Sequence, residues 1–331
     1  MQALHPPSTP GTPSTASTPK SEAHGSPVHG STDELRGGPG LARAAWNILR
    51  GWHLLSLDAP TVAVVWCAAF LNVVGIPFSK VSAHWPMTFL CLATWLCYVG
   101  DRTQDARSAR EDSELRARHR FYGRWWRTQR SSLVVLVSLA TIACAATGLF
   151  GLSLPLFVDY VALTLASLLY FAWVHSGRER NARIVAKEAA VAIIFALGCI
   201  LPAWSAASNF LRSQLVPAGV LFALLCWLNC VAIERWEGRG IVGLRAHPST
   251  RWAARHLNGL LIASALTAAA LAGWRHAVGR PTALAPYLAC AFLLLAALER
   301  WRVRLSIDSL RIFADVALLT PLIWFAARIS G

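Results

Sequence analysis

Asp101 and Asp105 stand four residues apart in the stretch TWLCYVGDRTQDAR. On a continuing helix that spacing puts both carboxylates on one face, about one turn apart. Two such groups repel each other unless positive charge lies between them. Paired oxygen donors of this kind suit Mg²⁺, which keeps several waters and bridges to the phosphates of a substrate. Arg102 and Arg107 flank the pair, and guanidinium forks match phosphate oxygens. The same residues also admit a simpler arrangement, in which the acids pair with the arginines at a solvated helix end.

A second polar stretch, LLCWLNCVAIERWEGR, contains Asn229, Glu234 and Glu237. When Trp95-Leu96 is set on Trp227-Leu228, Cys97 falls against Asn229, Asp101 against Ile233 and Asp105 against Glu237. Half-repeats with polar residues at matching positions point to a membrane-embedded site. Asn229 would serve equally as a hydrogen-bonding contact to a neighbouring helix, worth roughly 1 kcal/mol. A third set, Asp308, Arg311 and Asp315 in SLRIFADVALL, follows helical spacing along one stripe. A charge inside hydrocarbon costs about 2.5–3.5 kcal/mol on insertion scales, so such residues face a bundle interior or sit near an interface as an Arg–Asp pair. Asp58 and Asp159 are weaker candidates of the same type. Lys187 and Glu188 open an apolar block; Lys187 would reach a phosphate or snorkel to the interface. The loop RARHRFYGRWWRTQR, with Arg118, His119, Arg120 and Tyr122, would cap such a site or hold anionic headgroups.

These residues lie at the ends of long apolar blocks. The chain has 331 residues, 55% of them hydrophobic and 15% charged, with a mean hydropathy of +0.45. Soluble domains carry about 25% charged residues. Blocks of about 18–22 apolar residues match a helix crossing a bilayer. They fall at 58–79, 84–101, 131–151, 155–175, 187–206, 214–234, 256–274, 284–301 and 308–327. The predicted fold class is therefore all-α, a polytopic membrane bundle of about nine transmembrane helices. Residues 1–42 are rich in Pro, Ser, Thr, Gly and His, too polar to offset the entropy of ordering, and read as a disordered tail before a transmembrane domain over 43–331. Residues 43–56 read as a short interfacial helix with Trp46 and Trp52 at headgroup level. Prolines 77, 86, 155, 202, 217 and 321 fall near block ends, where no amide donor is needed.

With the N-terminus inside, all but five of the 31 Lys and Arg lie on the cytoplasmic side; the exceptions are Lys80, Arg212, Arg275, Arg280 and Arg328. Positive charge in the loops orients membrane proteins, so the net charge of +14 reads as topology rather than as a nucleic-acid surface. The eight cysteines all lie in apolar blocks with no CxxC or Cys/His spacing, against disulfides and thiolate metal sites. No Gly-rich phosphate loop, GxSxG elbow or HExxH is present.

Nine helices with acidic stretches ending the second and the sixth resemble the UbiA superfamily of intramembrane prenyltransferases. Members carry N-x-x-x-D-x-x-x-D after helix two and a D-x-x-x-D type motif after helix six. Here the first reads Cys97, Asp101, Asp105 and the second Asn229, Ile233, Glu237, with Glu234 adjacent. The resemblance implies a catalytic set of Asp101, Asp105, Asn229 and Glu237. It implies Mg²⁺ held by Asp101, Asp105 and Glu237, and a substrate contacted by Tyr98, Arg102, Arg118, Lys187 and Trp227. Isoleucine ligates nothing, and Glu234 sits about 100° round the helix from Ile233, so one cation site is expected and the second is weakened or absent. Glu234, Asp308, Arg311 and Asp315 are secondary candidates.

The implied partners are the lipid bilayer and an isoprenoid diphosphate or other phosphate-bearing lipid, and the implied location is a bacterial inner membrane. Prenyl transfer would need the diphosphate's charge neutralised and the allylic cation shielded by apolar and aromatic walls. Trp95, Tyr98, Phe195 and Trp227 are candidates for those walls. Two other readings fit the same residues: a membrane carrier with its site near the midplane, and a UbiA-like protein that no longer catalyses.

Overall fold

The computed structural model describes residues 40–108, 117–176, 187–237, 247–279 and 284–329. Among these every regular element is an α-helix. The elements are α1 (Gly40–Leu54), α2 (Asp58–Val73), α3 (Val81–Ser108), α4 (Ala117–Thr128), α5 (Arg130–Gly151), α6 (Leu154–Ser176) and α7 (Lys187–Ala206). They continue with α8 (Asn209–Glu237), α9 (Pro248–Arg255), α10 (Leu257–Ala277), α11 (Ala285–Trp301), α12 (Ile307–Ala317) and α13 (Pro321–Ile329). In hydrocarbon the backbone must satisfy its own polar groups, which a helix does within one segment; each of the nine expected apolar windows is helical over most of its length. Among the described residues, four helices (α5, α7, α8 and α10) are long and apolar enough on their own to cross a bilayer, and a fifth span is formed if Arg43–Leu54 and Asp58–Val73 count as one. α2 and α11, at 16 and 17 residues, fall short of the ~20 residues a span needs. The tail expected over 1–42 falls outside the described residues up to residue 39, and Gly40 already opens α1.

Three details depart from the sequence reading. Pro86, Pro202 and Pro217 lie inside α3, α7 and α8 rather than at their ends. α3 and α8 run on past their apolar windows, while α7 ends with its window and holds Pro202 in its last turns; neighbouring helices make the lost amide bond tolerable in a membrane setting. The ninth window is not one helix: the chain turns at 318–320 between α12 and α13. A short amphipathic helix, α9, follows α8 with Pro248 at its start and the His247 ring accepting from the Ser249 amide.

α1 and α2 meet at a bend of 90°. Ser56 sits at the elbow with φ +55°, a conformation costing roughly 1–2 kcal/mol for an L-residue. It is held because neighbours grip both sides. Trp52 Nε1 donates to Thr61 Oγ1 at 2.9 Å, Trp95 Nε1 of α3 to the Leu55 carbonyl at 3.1 Å, and Tyr122 Oη of α4 to Ser56 Oγ at 3.1 Å.

The main core lies between α2, α7 and α8. Trp66 stacks on Phe222 with ring centroids 4.4 Å apart, and Phe70 meets the same ring edge-on at 5.7 Å. Trp66 Nε1 donates to the Leu318 carbonyl at 2.8 Å, joining residues 252 apart in sequence. That bond occupies a carbonyl freed where α12 ends, and it fixes α12 against α2. Trp46 packs on Phe313 at 6.1 Å, which fixes α1 against α12.

The elbow yields a prediction. Ser56→Val puts a β-branched side chain at positive φ and removes the acceptor for Tyr122, so it should destabilise by about 2–4 kcal/mol. Ser56→Gly relieves the backbone and loses only the hydrogen bond, so it should cost about 1 kcal/mol or less. Thermal unfolding in detergent followed by helix signal should separate the two variants.

Candidate functional site

Helical order brings the starts of α2, α7 and α12 and the finishes of α1, α3, α8 and α11 to one end of the bundle. Buried charge collects there. His53, at the end of α1, is buried and places Nδ1 2.8 Å from Asp58 Oδ2 and 3.6 Å from Asp315 Oδ2. Asp58 is itself buried and its other oxygen accepts the Ala59 amide at 2.9 Å, as an acid in a helix's first turn commonly does. The Asp58 and Asp315 carboxyls also come within hydrogen-bonding reach of each other. One turn before Asp315 on α12, Arg311 is buried and forms an ion pair with Glu237 at the end of α8.

Around this pair of contacts lie the inward faces of α3 and α8. Tyr98 is within electrostatic reach of Cys230, Asp58, Arg102 and Asp315. Cys230 is within reach of Glu188, Asp315, Lys187 and Arg102. Arg102 stands 5.7 Å from the Tyr98 ring centroid, and its buried Nε has no hydrogen-bond partner. On the opposite flank Glu188 accepts from Thr250 Oγ1 of α9 at 2.8 Å. Glu299, buried at the end of α11, accepts from Trp236 Nε1 at 2.7 Å and pairs with Arg235 and Arg302. Each of these carboxylates is met from another helix, as burial of charge requires.

The sequence candidates divide across this end. Asp101 is largely exposed and turns to its own neighbour Arg102 at 3.6 Å, which is the acid–arginine pairing that the spacing also allowed. Asp105 falls in the last turn of α3, and Arg118 in the first turn of α4; their side chains lie outside the described ones. Glu237 is engaged by Arg311 rather than standing clear. Asn229 is buried with Oδ1 lacking a hydrogen-bond partner, and the half-buried Trp227 likewise leaves Nε1 without one. Ile233 packs on the main core, and Glu234 is half-buried beside it. Lys187 is exposed at the start of α7, and Asp308 is half-buried in the first turn of α12. The stripe Asp308, Arg311, Asp315 is real, but its members serve different partners: Arg311 pairs with Glu237 on α8, and Asp315 with His53. Of the proposed wall aromatics, Trp95 grips the elbow and Phe195 packs on Phe222 at 6.3 Å.

His53 was not singled out by sequence. The available signal was its place on the apolar stripe of α1: it follows Trp46 and Leu49 at spacings of seven and four, and those two are its less exposed neighbours. A titratable ring continuing an apolar stripe, five residues before an aspartate, marks a buried partner.

Beside the exposed flank of α3, a cavity of about 680 Å³ opens between α3, α4 and α5. Val99, Gly100, Thr103, Gln104, Trp126 and Ser138 contribute to its lining. Arg130 stands over the Trp126 ring at 4.8 Å, which sets a guanidinium close to a cavity wall. No family model matches this chain, and no curated protein or solved structure gives a significant match.

The Glu237–Arg311 pair is testable on its own. Arg311→Met leaves a buried carboxylate without its cation and should destabilise by about 3–5 kcal/mol. Adding Glu237→Leu should restore most of that loss, since a buried pair is often replaceable by apolar residues. A double-mutant cycle measured by thermal unfolding checks both values.

Proposed function

We propose that this chain is an integral membrane protein of UbiA-like plan. In this reading it binds a divalent cation and an isoprenoid diphosphate at the polar end of its bundle and transfers the prenyl group to an acceptor. The nine apolar windows are its crossings, and the end holding the charged layer is cytoplasmic, on the side that carries most of the basic residues. The observation that carries the reading is the gathering of charged side chains from α3, α7, α8 and α12 at a single end, next to a cavity opening along α3. A carrier would instead need its polar site near the midplane, where Trp66, Phe70 and Phe222 pack tightly.

The donor chemistry fits a hard cation at α3: two carboxylates one turn apart, the first of them solvent-accessible. When bound there, Mg²⁺ supplies charge neutralisation for the leaving diphosphate. Glu237, already engaged by Arg311, holds that guanidinium in place rather than the ion. Arg102, with an unsatisfied Nε, and Lys187 are cations suited to phosphate oxygens. The apolar part of the α3–α4–α5 cavity wall, with Leu96, Val99, Leu133 and Val137, suits a prenyl tail. In the transfer itself the C1–O bond breaks with its electron pair leaving on the diphosphate, and an acceptor nucleophile forms the new bond to C1 and loses its proton.

The test uses the full chain in lipid nanodiscs with a labelled prenyl diphosphate, with and without Mg²⁺. Binding should require Mg²⁺, and Asp101→Ala and Asp105→Ala should each weaken it by about tenfold or more, equivalent to about 1.4 kcal/mol. Binding that is independent of Mg²⁺ and indifferent to both substitutions would remove the proposal.

A further inference from the structure

We propose that His53, Asp58 and Asp315 form a binding site for a divalent transition-metal ion, separate from the phosphate site on α3. The inference does not rest on the prenyl-transfer reading. One imidazole nitrogen and one oxygen from each carboxylate lie within 4.8 Å of one another, with Nδ1 2.8 Å from Asp58 and 3.6 Å from Asp315. Metal–ligand bonds of about 2.0–2.2 Å to His nitrogen and carboxylate oxygen hold two donors at most about 4.4 Å apart, and both Nδ1 distances fall within that reach.

Charge argues the same way. Two aspartates, at 4% and 17% side-chain exposure, share one imidazole. The set joins one imidazole and two carboxyls in a largely dry setting, and burial of such groups is tolerated when they are paired or coordinate metal. A mixed nitrogen and oxygen donor set suits Zn²⁺, Mn²⁺ or Fe²⁺, whereas Mg²⁺ and Ca²⁺ favour oxygen alone.

The cage is built before any ion arrives. Its three ligands come from α1, α2 and α12, and these helices are tied together pairwise. Trp52 to Thr61 joins α1 to α2, Trp66 to the Leu318 carbonyl joins α2 to the end of α12, and Trp46 on Phe313 joins α1 to α12. The positive φ of Ser56 sets the 90° turn that brings His53 back over Asp58. The Ala59 amide occupies Asp58 Oδ1, which orients Oδ2 toward the ring, the kind of outer contact that fixes a ligand's direction. Ligands held by packing on rigid elements are what a selective site needs.

The test takes the full chain in detergent, strips it with a chelator, returns Zn²⁺ or Mn²⁺ separately, and measures bound metal by elemental analysis and affinity by competition with a chelating dye. About one high-affinity ion per chain is expected. His53→Gln, Asp58→Asn and Asp315→Asn should each lower its affinity by at least the 10–100-fold that outer-contact changes cost. Asp101→Ala should retain the ion, which separates this site from the phosphate site. Because a variant could misfold, the unaltered chain is also loaded with Co²⁺, whose visible spectrum should report one imidazole nitrogen with oxygen ligands. No bound metal above the chelator-treated level, or an ion whose affinity ignores His53→Gln and Asp315→Asn, overturns the proposal.

Discussion

A carboxylate removed from water must find its counter-group inside the protein, and in this bundle that group almost always comes from a different helix. Glu237 of α8 is met by Arg311 of α12, Asp58 of α2 by His53 of α1, Asp315 of α12 by the same ring, and Glu188 of α7 by Thr250 of α9. Each pair is a cross-link between two elements. Helices in a lipid-like setting gain little from apolar contact with each other, because the surroundings are equally apolar. Polar pairing at one end therefore supplies much of the specificity of assembly.

The aromatic core complements this layer. Trp66, Phe70 and Phe222 fill the centre between α2, α7 and α8, and the Trp66 indole reaches the carbonyl left open where α12 stops. The break between α12 and α13 thus has a structural use: it provides the acceptor that fixes α12, and with it Arg311 and Asp315, against α2. The α1–α2 elbow plays the matching part on the other side, with Ser56 held at an unfavourable φ by bonds from α3 and α4.

Much of the scaffold was legible because it is encoded locally. Apolar blocks of span length located the helices, and Trp46 and Trp52 marked the short helix before the first block. The spacing of Asp308, Arg311 and Asp315 gave a true stripe. What escaped was non-local. Nothing near Arg311 in sequence announces Glu237, and nothing near Asp315 announces His53, because those partners are brought together by the turn at Ser56 and by the packing of α12 against α1, α2 and α8. Matching Asp105 with Glu237 by repeat proposed a pairing across the two halves, whereas the described contact of Glu237 is the arginine on α12. Pro86 and Pro217 misled for a simpler reason: α3 and α8 run beyond their apolar windows and turn a block end into a helix interior.

The account stands on α1 and α12 bringing His53 and Asp315 together at the polar end. Oxidative cross-linking tests this directly, with His53→Cys and Asp315→Cys introduced into a chain whose eight native cysteines are replaced by alanine or serine. The account predicts a rapidly formed intramolecular disulfide, seen as a mobility shift that reductant reverses, and no shift in either single-cysteine chain. A folded double-cysteine protein that stays unlinked under oxidation, with both thiols still titratable, would contradict it.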